Sequence, residues 1–472
     1  MRFFRIICSV LLILIISSNG IGIVFANEVS DTVSSEIQDD TSGYSINGTN
    51  SYLGSTKQIE NATSAFLYEY ESDTLMYAWN PDLRVSPSSL VKILTALIAV
   101  ENGNLDTIVC VDNKTLSEVP FDAVSVNLVA DEQITLHDLL MCMMVGSGND
   151  AAAVIATHIS GSQEAFVDEM NRYAQSIGCV DTQFTNVHGL HDENQYSTAR
   201  DLARILSEAV KNESFMTFFS TVYYTVPATN KSESRSLDSS NFLMNNSDME
   251  IYYDSRVTGG RTGISGDGTR CLAATAEQNG LHVLCVITGA ESTFDDSGNT
   301  TVYGSFKEAS ALFDTVFNGY KRACVFYPGQ ILTQFSVSNG RNDVILGVQD
   351  AVSVILPTDT TSDDLQYRYL QPQTLQAPVN KGDILFPVEV WHGNVCLMKI
   401  NLYAMNDVPS SLDTALDQSD DARLPGIGAV IVLVIIAVIV LTAISFMGIR
   451  RWRKIRVKKR SRRYRIERKR SH

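Results

Sequence analysis

The chain has 472 residues, of which 44% are hydrophobic and 19% charged, a composition typical of a folded protein with two or three domains rather than of a disordered chain. Residues 27–449 carry 21 Lys or Arg against 52 Asp or Glu. So acidic a surface argues against nucleic acid as a partner and against a basic membrane-binding patch in this part of the chain.

The first 26 residues predict a signal peptide, because Arg2 and Arg5 precede a short apolar run and small residues end at Ala26. An uncleaved N-terminal anchor is the alternative that this pattern leaves open. Residues 27–56 are rich in Ser, Thr, Asp and Asn and are predicted to form a flexible acidic spacer.

The folded part is expected to begin with a hairpin and a helix. Two β-prone runs within residues 64–79 flank a polar Glu-Ser-Asp turn and predict the hairpin. The helix, in the sequence PSSLVKILTALIAV, is apolar around most of its circumference except at Lys92. Residues three or four apart share one helix face, so Ser89 and Ser88 can both reach this lysine.

A lysine without its proton can act as the base that activates a serine, and burial among Leu and Ile favours that neutral amine. Ser89 and Lys92 are therefore a candidate nucleophile and base. The alternative is a surface lysine on an amphipathic helix, where most lysines are found. The absence of any other charge between Arg84 and Glu101 favours the buried position.

A layer of helices is predicted next, from apolar residues at helical spacing in residues 136–144, 150–159, 163–177 and 199–210. Within this region, the segment VGSGNDAA places Ser147 and Asn149 at a glycine-flanked turn before a helix. Short polar side chains at such a turn either cap the helix or point into a cleft.

The chain then returns to strands. The segment GGRTGIS places Arg261, Thr262 and Gly263 at the start of a strand, where a cation and a hydroxyl can bind a carboxylate. An ordinary strand start is the alternative. Two apolar runs joined by Gln-Asn-Gly at residues 278–280 predict a hairpin. Strands on both sides of a helical region predict one sheet covered by a helical layer.

Four segments complete the chain. Residues 321–408 contain short β-prone runs and predict an all-β domain, and residues 409–424 predict a polar linker. Residues 425–449 contain no charge, and 25 residues at ~1.5 Å each exceed a ~30 Å hydrocarbon core, which predicts a transmembrane helix. Residues 450–472 hold 14 Lys or Arg and one acid, so this tail is expected in the cytoplasm and residues 27–424 outside.

Seven cysteines follow the predicted signal peptide, an odd number without regular spacing, which argues against a disulfide framework. The sequence contains neither a CxxC pair nor an HExxH motif. His188 and His191 lie in the loop-like segment NVHGLHDENQ. No metal site is predicted from these patterns.

Taken in order, Ser-x-x-Lys, Ser-x-Asn and Arg-Thr-Gly form a set that is far more specific than any of its parts. With these motifs and the segments FTNVHGLHDENQYSTARDLARI and LQAPVNKGDILFPVEV, the chain resembles the serine D-Ala-D-Ala carboxypeptidases, the low-molecular-weight penicillin-binding proteins of the peptidase S11 type. The resemblance implies an α/β (α+β) fold of the β-lactamase/transpeptidase type over residues 57–320, with an antiparallel sheet and a helical layer, before the β-rich domain.

The resemblance also implies roles for individual residues. The implied catalytic residues are Ser89 as the nucleophile that becomes acylated, Lys92 as its general base and Ser147 as the relay of the leaving-group proton. The implied substrate-binding residues are Asn149, Arg261, Thr262, Gly263 and Ile264. Of these, Arg261 and Thr262 would hold the substrate carboxylate, while the N–H groups of Ser89 and Ile264 would form the oxyanion hole.

The implied substrate is a peptidoglycan pentapeptide ending in D-Ala-D-Ala, β-lactams are implied inhibitors, and no cofactor or metal is implied. The chain departs from the family pattern at Arg261, where lysine is usual, and at Ser240, where arginine is usual. Two alternatives remain: a wall-binding or scaffolding protein that hydrolyses little, and a β-lactamase. In a β-lactamase, however, the β-rich domain and the transmembrane helix would have no place.

Overall fold

A computed structural model of the protein describes residue 46 and residues 59–246, 250–294, 300–372, 374–393, 395–411 and 435–451. The predicted signal peptide lies outside the described residues, as does the predicted spacer apart from Ile46. Most of the predicted linker and of the basic tail also lies outside them.

The first part of the chain contains both strands and helices. Its strands are β1 (Ser64–Glu69), β2 (Thr74–Trp79), β3 (Ile108–Cys110), β4 (Gln133–Thr135), β5 (Tyr223–Val226), β6 (Arg235–Asp238), β7 (Val257–Ile264), β8 (Arg270–Gln278), β9 (Leu281–Ala290), β10 (Ser292–Phe294) and β11 (Thr300–Tyr303). Its helices are α1 (Val91–Asn102), α2 (Asn113–Ser117), α3 (Leu136–Met144), α4 (Asn149–Ser160), α5 (Gln163–Ser176), α6 (Ala199–Ala209), α7 (Glu213–Phe219) and α8 (Gly304–Gly319).

Strands dominate the chain after α8. They are β12 (Tyr320–Phe326), β13 (Ile331–Phe335), β14 (Val337–Ser338), β15 (Val344–Gly347), β16 (Val352–Pro357), β17 (Leu365–Tyr369), β18 (Leu375–Gln376), β19 (Ile384–His392) and β20 (Val395–Ala404). The predicted β-rich C-terminal region is thereby confirmed. The predicted domain boundaries at residues 320 and 408 stay predictions.

The central sheet has five antiparallel strands in the order β2-β1-β9-β8-β7. Both predicted hairpins are confirmed as β1–β2 and β8–β9. The second hairpin turns at Asn279 and Gly280, whose φ angles are 54° and 74°. Two consecutive positive φ angles are typical of the tight type I′ turn that Asn-Gly favours. The sheet therefore unites strands from both ends of the region, as its sequence order predicts.

The two faces of the sheet pack against different helices. On one face Phe66 belongs to a buried cluster with residues of α1 and α3 to α7, while on the other face Leu67 belongs to a cluster with α8. Successive side chains of a strand point to opposite faces, so a fully apolar strand such as β1 fits a sheet covered on both sides. The predicted helical layer is present, and α8 adds a second one.

The helix α1 lies in the middle of the larger cluster. Its residues 91–99 are all buried, including Lys92. The four helices predicted between residues 136 and 210 are confirmed to within one residue at each end. Apolar residues all around α1 are explained by this position, since a helix enclosed by its neighbours has no solvent face.

The described residues divide into two compact units, of which the second takes in residues 329–347, 371–385 and the chain from Leu402 onward. Within the first unit, β12 pairs antiparallel with β16 and β17 with β19. Within the second unit, β13 pairs antiparallel with β15, and β14 pairs parallel with β18.

The predicted transmembrane helix is described only in part. Residues 425–434 of it lie outside the described residues, and residues 435–451 are helical. Across the part of the chain that the structure describes, no helix combines the length and the apolar character needed to cross a membrane.

Candidate active site

Ser89 lies in the short 3-10 helix Ser88–Leu90, which continues directly into α1. The Oγ of Ser89 is 3.3 Å from the Nζ of Lys92, one helical turn further on. The Oγ of Ser88 instead donates to the carbonyl oxygen of Ile264 at 2.7 Å. The spacing alone leaves both serines possible, and the structure places Ser89 beside the lysine.

Lys92 has none of its surface exposed. Its Nζ donates to the Oδ1 of Asn149 and to the carbonyl oxygen of His188, both at 2.6 Å. A neutral amine has two N–H groups and one lone pair, so these two bonds leave the lone pair for the hydroxyl proton of Ser89. The alternative of a solvent-exposed surface lysine is therefore wrong.

The electrostatic surroundings of Lys92 favour that neutral form. Burial lowers the pKa of Lys92 well below its ordinary value, and the positive charge of Arg261 lowers it further. The carboxylate of Asp150 acts in the opposite direction and raises the pKa of Lys92. The protonation of the amine thus reflects desolvation first and two opposed charges second.

A backbone turn delivers the carbonyl of His188 to the site. Gly189 has a φ of 87°, and a Cβ at this position would come within 1.9 Å of the carbonyl oxygen of Ser88. Only glycine fits such an approach. The side chain of Asn186 fixes the turn by accepting from the N–H of Gly189 at 2.7 Å. A contact through a main-chain carbonyl has no side-chain signature, and the His-Gly turn is its only trace in the sequence.

The imidazole of His188 is neutral. Its burial, followed by the charge of Lys92, lowers the pKa of His188 to about 3. The N–H of Leu190 donates to its Nδ1 at 3.3 Å. A neutral ring adds no second positive charge beside the amine.

Asn149 is the first residue of α4, and Ser147 precedes it with a φ of 62°, which is uncommon outside glycine. The residue at the N-cap is Gly148, and no side chain caps the helix. The helix-capping alternative for Ser147 is therefore wrong. The backbone N–H of Asn149 donates to the carbonyl oxygen of Val124 at 2.8 Å, which holds its side chain at Lys92.

Asp150 attaches a loop to the start of α4. Its Oδ2 accepts from the Oγ of Ser125 at 2.6 Å and from the N–H of Leu128 at 3.1 Å. Its Oδ1 accepts from the N–H groups of Val126 at 3.2 Å and of Ala151 at 2.9 Å. Four donors thus satisfy the hydrogen-bonding capacity of this buried side chain. The sequence does not indicate this role of Asp150, because an Asp at the start of a helix is ordinary.

Arg261 is 3% exposed. Its Nη1 donates to the carbonyl oxygen of Met144 at 2.9 Å, and its Nη2 donates to the Oγ of Ser147 at 2.5 Å. Its buried Nε has no hydrogen-bond partner among the described residues. Burial lowers the pKa of Arg261 to about 10, which leaves the guanidinium charged at neutral pH. The guanidinium thus donates a hydrogen bond to Ser147, the serine of the Ser-x-Asn motif.

The strand β7 begins at Val257, so Arg261 lies in its second half and not at its start as predicted. The two glycines before Arg261 are untypical of a strand, so the sequence does not show that the strand has already begun. A Cβ on Gly259 would come within 2.4 Å of the ring of Phe219, and one on Gly260 within 2.1 Å of the Nδ2 of Asn241. Neighbouring side chains occupy the space that a Cβ would need at both positions, so these glycines allow close packing and do not break the strand.

The end of β7 touches the nucleophile. A Cβ on Gly263 would be 2.7 Å from the Oγ of Ser88 and 2.9 Å from the backbone nitrogen of Ser89. The hydroxyl of Thr262, the residue before, is 2.6 Å from the Oγ of Ser240. The structure therefore gathers all eight predicted residues in one region, namely Ser89, Lys92, Ser147, Asn149, Arg261, Thr262, Gly263 and Ile264.

Comparison with known proteins agrees with this arrangement. Residues 53–292 match the family model of the peptidase S11 D-alanyl-D-alanine carboxypeptidases, and residues 320–410 match that of the C-terminal domain of penicillin-binding protein 5. The chain is 28% identical to D-alanyl-D-alanine carboxypeptidase DacF of Bacillus subtilis over 328 residues, which is 69% of this chain and 80% of that protein.

A second relative and a solved structure extend the similarity. D-alanyl-D-alanine carboxypeptidase DacA of Haemophilus influenzae is 28% identical over 380 residues, 78% of this chain and 90% of that protein. The crystal structure of penicillin-binding protein 5 from the same organism superposes with a TM-score of 0.64 at 28% identity, covering 76% of this chain and all of that one. The first family model alone spans half of the sequence, and the chain therefore belongs to the D-alanyl-D-alanine carboxypeptidases of the peptidase S11 family, which are serine hydrolases.

Proposed function

We propose that this carboxypeptidase removes the terminal D-Ala of peptidoglycan stem peptides through an acyl-enzyme on Ser89. The observation that carries the proposal is Lys92, a completely buried amine 3.3 Å from the Ser89 hydroxyl with a lowered pKa. A serine hydroxyl is a weak nucleophile until a base removes its proton, and a neutral amine at this distance can do so.

Acylation would proceed in one proton cycle. Lys92 takes the hydroxyl proton of Ser89 while the Oγ attacks the carbonyl carbon of the penultimate D-Ala. The C–N bond then breaks, and the proton returns to the leaving amine through the hydroxyl of Ser147. Arg261 can only donate hydrogen bonds, so its bond to the Ser147 Oγ leaves the proton of that hydroxyl free for the transfer.

The tetrahedral intermediate needs donors for its oxyanion. The N–H groups of Ser89 and Ile264 are proposed for this role, each worth about 3 kcal/mol in comparable enzymes. The close approach of Gly263 to the backbone nitrogen of Ser89 supports it, because it draws β7 against the nucleophile. Water then hydrolyses the ester, with Lys92 acting again as base. The predicted carboxylate contact of Arg261 stays a prediction.

The same acylation would make the protein a target of β-lactams. A β-lactam presents a strained amide to the nucleophile, and its opening by Ser89 would leave a stable ester. Labelling by a fluorescent penicillin in the wild-type protein, and its loss in Ser89→Ala, are the expected results. Equal labelling of both proteins would contradict the acyl-enzyme on Ser89.

D-Ala release provides the direct test of the hydrolase. The full-length protein, solubilised in detergent, is given a peptide ending in D-Ala-D-Ala, and released D-Ala is measured beside a Ser89→Ala control. Release in the wild type alone supports the proposal. Release at equal rates would sink it, and penicillin labelling without release would instead favour the non-hydrolytic scaffold.

We also propose that the protein is a single-pass membrane protein with its active site outside the cell. The 25 uncharged residues at 425–449 and the 14 basic residues after position 449 support this arrangement. Cys110 and Cys324 are exposed and can react from outside, so the test compares Ser471→Cys with the wild type: the added cysteine should not increase labelling by a membrane-impermeant thiol reagent in intact cells. Labelling of Ser471→Cys above the wild-type level without cell lysis would overturn the orientation.

A further inference from the structure

The serine directly before the nucleophile makes a buried hydrogen bond of its own. The Oγ of Ser88 donates to the carbonyl oxygen of Ile264 at 2.7 Å, and Ser88 is 2% exposed. Ile264 is the last residue of β7. This hydroxyl therefore ties the end of β7 to the turn that carries Ser89.

The backbone of Ile264 is directed away from the rest of the sheet. In an antiparallel pair, residues that exchange hydrogen bonds with the partner strand alternate with residues whose N–H and C=O both point outward. Ser265 donates from its N–H to the carbonyl oxygen of Thr269 at 2.8 Å, and Ile264 lies opposite Arg270 in the next position. The N–H of Ile264 therefore points away from β8, on the same side as the carbonyl that Ser88 binds.

The end of β7 also lies against the nucleophile. A Cβ on Gly263 would be 2.9 Å from the backbone nitrogen of Ser89 and 2.7 Å from the Oγ of Ser88. The side chain of Ile264 is 59% exposed, so this end of the strand is open to a bound substrate. Ser88 is thus joined to both residues whose N–H groups are proposed for the oxyanion, to Ser89 by the chain and to Ile264 by a hydrogen bond.

The backbone of Ser88 is held in an unusual conformation. Its φ of 50° is uncommon outside glycine and persists only where the surrounding structure enforces it. Gly189 approaches from a separate segment so closely that a Cβ there would come within 1.9 Å of the Ser88 carbonyl oxygen. The turn is therefore confined by two segments, Gly189 on one side and the end of β7 on the other.

An oxyanion donor is effective only at its correct position. Removing one donor costs about 10²–10³ in kcat, and a misplacement of about 1 Å can cost about 10²-fold. The ladder bonds to β8 do not hold the outward-facing groups of Ile264, whereas the Ser88 hydroxyl binds one of them directly. The distance between the N–H groups of Ser89 and Ile264 therefore depends on this hydroxyl.

We propose that Ser88 is a positioning residue of the reaction, whose hydroxyl holds the end of β7 so that the N–H groups of Ile264 and Ser89 meet the same oxyanion. The inference rests on the proposed function and deepens it. Ser88 forms no bond to the substrate, and the proton passes from Ser89 to Lys92 as before. Its effect falls on the step in which charge develops on the substrate oxygen, and therefore on kcat rather than KM.

Sulfur in place of the reacting carbonyl oxygen tests the proposal on the full-length protein in detergent. Two ester substrates ending in D-Ala-D-lactate are compared, one with oxygen and one with sulfur at that carbonyl. Sulfur is a weak hydrogen-bond acceptor, so correctly placed donors accelerate the oxygen substrate more. In Ser88→Ala we expect kcat for the oxygen substrate to fall roughly 10- to 100-fold with little change in KM, and the oxygen-to-sulfur rate ratio to fall about tenfold. Equal losses for both substrates, or no loss, would overturn the proposal.

A second variant separates the hydroxyl from the backbone conformation. Ser88→Gly also lacks the hydroxyl, but glycine adopts a φ of 50° without strain, so this protein remains available if Ser88→Ala does not fold. Its oxygen-to-sulfur ratio should fall as in Ser88→Ala. A wild-type ratio in Ser88→Gly would contradict the role of the hydroxyl.

A buried hydroxyl far from the nucleophile provides the matched control. Ser64, on β1, has no exposed surface, and its Oγ donates to the carbonyl oxygen of Asn80 at 2.9 Å. In the sheet, β9 and β8 separate β1 from β7. Ser64→Ala should therefore lower the urea concentration at the unfolding midpoint about as much as Ser88→Ala, yet keep the wild-type ratio. A similar fall of the ratio in Ser64→Ala would show a general effect of lost stability and overturn the proposal.

Two further readouts keep the inference apart from the base and from the parent proposal. The decrease of the rate at acidic pH, where Lys92 becomes protonated, should occur at the same pH in Ser88→Ala as in the wild type. A shift would mean that the hydroxyl acts on Lys92 and would overturn the positioning role. If the proposed acyl-enzyme itself is wrong, Ser89→Ala will hydrolyse the oxygen ester as fast as the wild type.

Discussion

Lys92 and Arg261 are two buried basic side chains of one site, and burial affects them differently. Lys92, on α1, loses its charge readily because its pKa falls well below the ordinary value. Arg261, on β7, keeps its charge because burial brings its much higher pKa only to about 10. The same desolvation makes a base of one residue and a fixed charge of the other.

Their hydrogen bonds differ in the same sense. The Nζ of Lys92 donates to two oxygen atoms and lies 3.3 Å from a hydroxyl that has a proton to give. The guanidinium of Arg261 donates to a carbonyl and to Ser147 and has no lone pair to offer. One side of the site is thus arranged to accept a proton, and the other to orient the group that passes it on.

Removing the base should have the largest effect on activity. We expect Lys92→Met to lower the rate of acylation by a fluorescent penicillin by about 10²- to 10⁴-fold, the contribution of general-base catalysis. The pKa of Lys92 is lower in the folded protein than in the unfolded chain. Below the ordinary pKa of lysine, the unfolded chain therefore binds a proton that the folded protein does not bind, and the free energy of unfolding decreases as the pH falls. Methionine has no proton to lose on folding. The urea concentration at the unfolding midpoint of Lys92→Met at neutral pH should therefore be at least as high as that of the wild type.

This result separates a catalytic from a structural lysine. A Lys92→Met protein that labels as fast as the wild type would contradict the proposed base. A protein that loses both labelling and stability would show that Lys92 holds the fold, contrary to the comparison above.

Neutralising the second cation should have a smaller effect with a diagnostic pH dependence. In Arg261→Met the amine of Lys92 loses a nearby positive charge, so the pKa of Lys92 should rise. The acidic limb of the pH–rate profile, where the acylation rate falls because Lys92 becomes protonated, should then move to higher pH. At neutral pH we expect a decrease of roughly 10- to 100-fold, about tenfold for each pKa unit. The matched control Arg261→Lys keeps a cation and should leave the limb closer to its wild-type position. A limb that moves to lower pH would refute the assigned electrostatic role.

A backbone substitution should mainly affect stability. Gly189→Ala places a Cβ within 1.9 Å of the Ser88 carbonyl at a φ of 87°, and should lower the free energy of unfolding by more than about 2 kcal/mol. Gly161→Ala is the matched control, because Gly161 has a φ of 82° and nothing within 4 Å. It should lose only about 1 kcal/mol and keep normal acylation. Equal losses in urea unfolding would show that the contact with Ser88 is unimportant.

The smallest effect is expected from the opposing charge. Asp150→Asn removes a negative charge that raises the pKa of Lys92, so the acidic limb should move to lower pH, opposite to Arg261→Met. The rate at its pH optimum should fall about tenfold, because an amide cannot accept all four hydrogen bonds. Ser125→Ala keeps the charge and serves as the control, with no shift of the limb. Shifts in the same direction for Asp150→Asn and Arg261→Met would contradict the comparison.

Periodicity and the motifs together predict the central sheet, its helical layer and the gathering of eight site residues. The helices at residues 136–210 are predictable because their apolar residues recur at helical spacing. The start of β7 is not, because its glycines make room for Phe219 and Asn241, which are distant in sequence. Helical spacing also cannot choose between Ser88 and Ser89, since the choice depends on contacts with another strand.

Contacts through the backbone limit the prediction of the site itself. The carbonyl oxygens of His188 and Met144 accept hydrogen bonds from Lys92 and Arg261, and a carbonyl is present at every position of any sequence. The bond between Ser240 and Thr262 likewise joins two common residue types 22 positions apart. Only the folded chain shows which of many such groups meet.

Gly189 and Gly263 come from separate segments and press on the same short stretch, Ser88 to Ser89, where Ser88 itself has a φ of 50°. Substitutions at the two glycines are therefore not independent events in the evolution of this protein. Once one added Cβ has displaced the stretch, the cost of a second is expected to differ from its cost alone. The effect of a change at either glycine is therefore expected to depend on the residue present at the other.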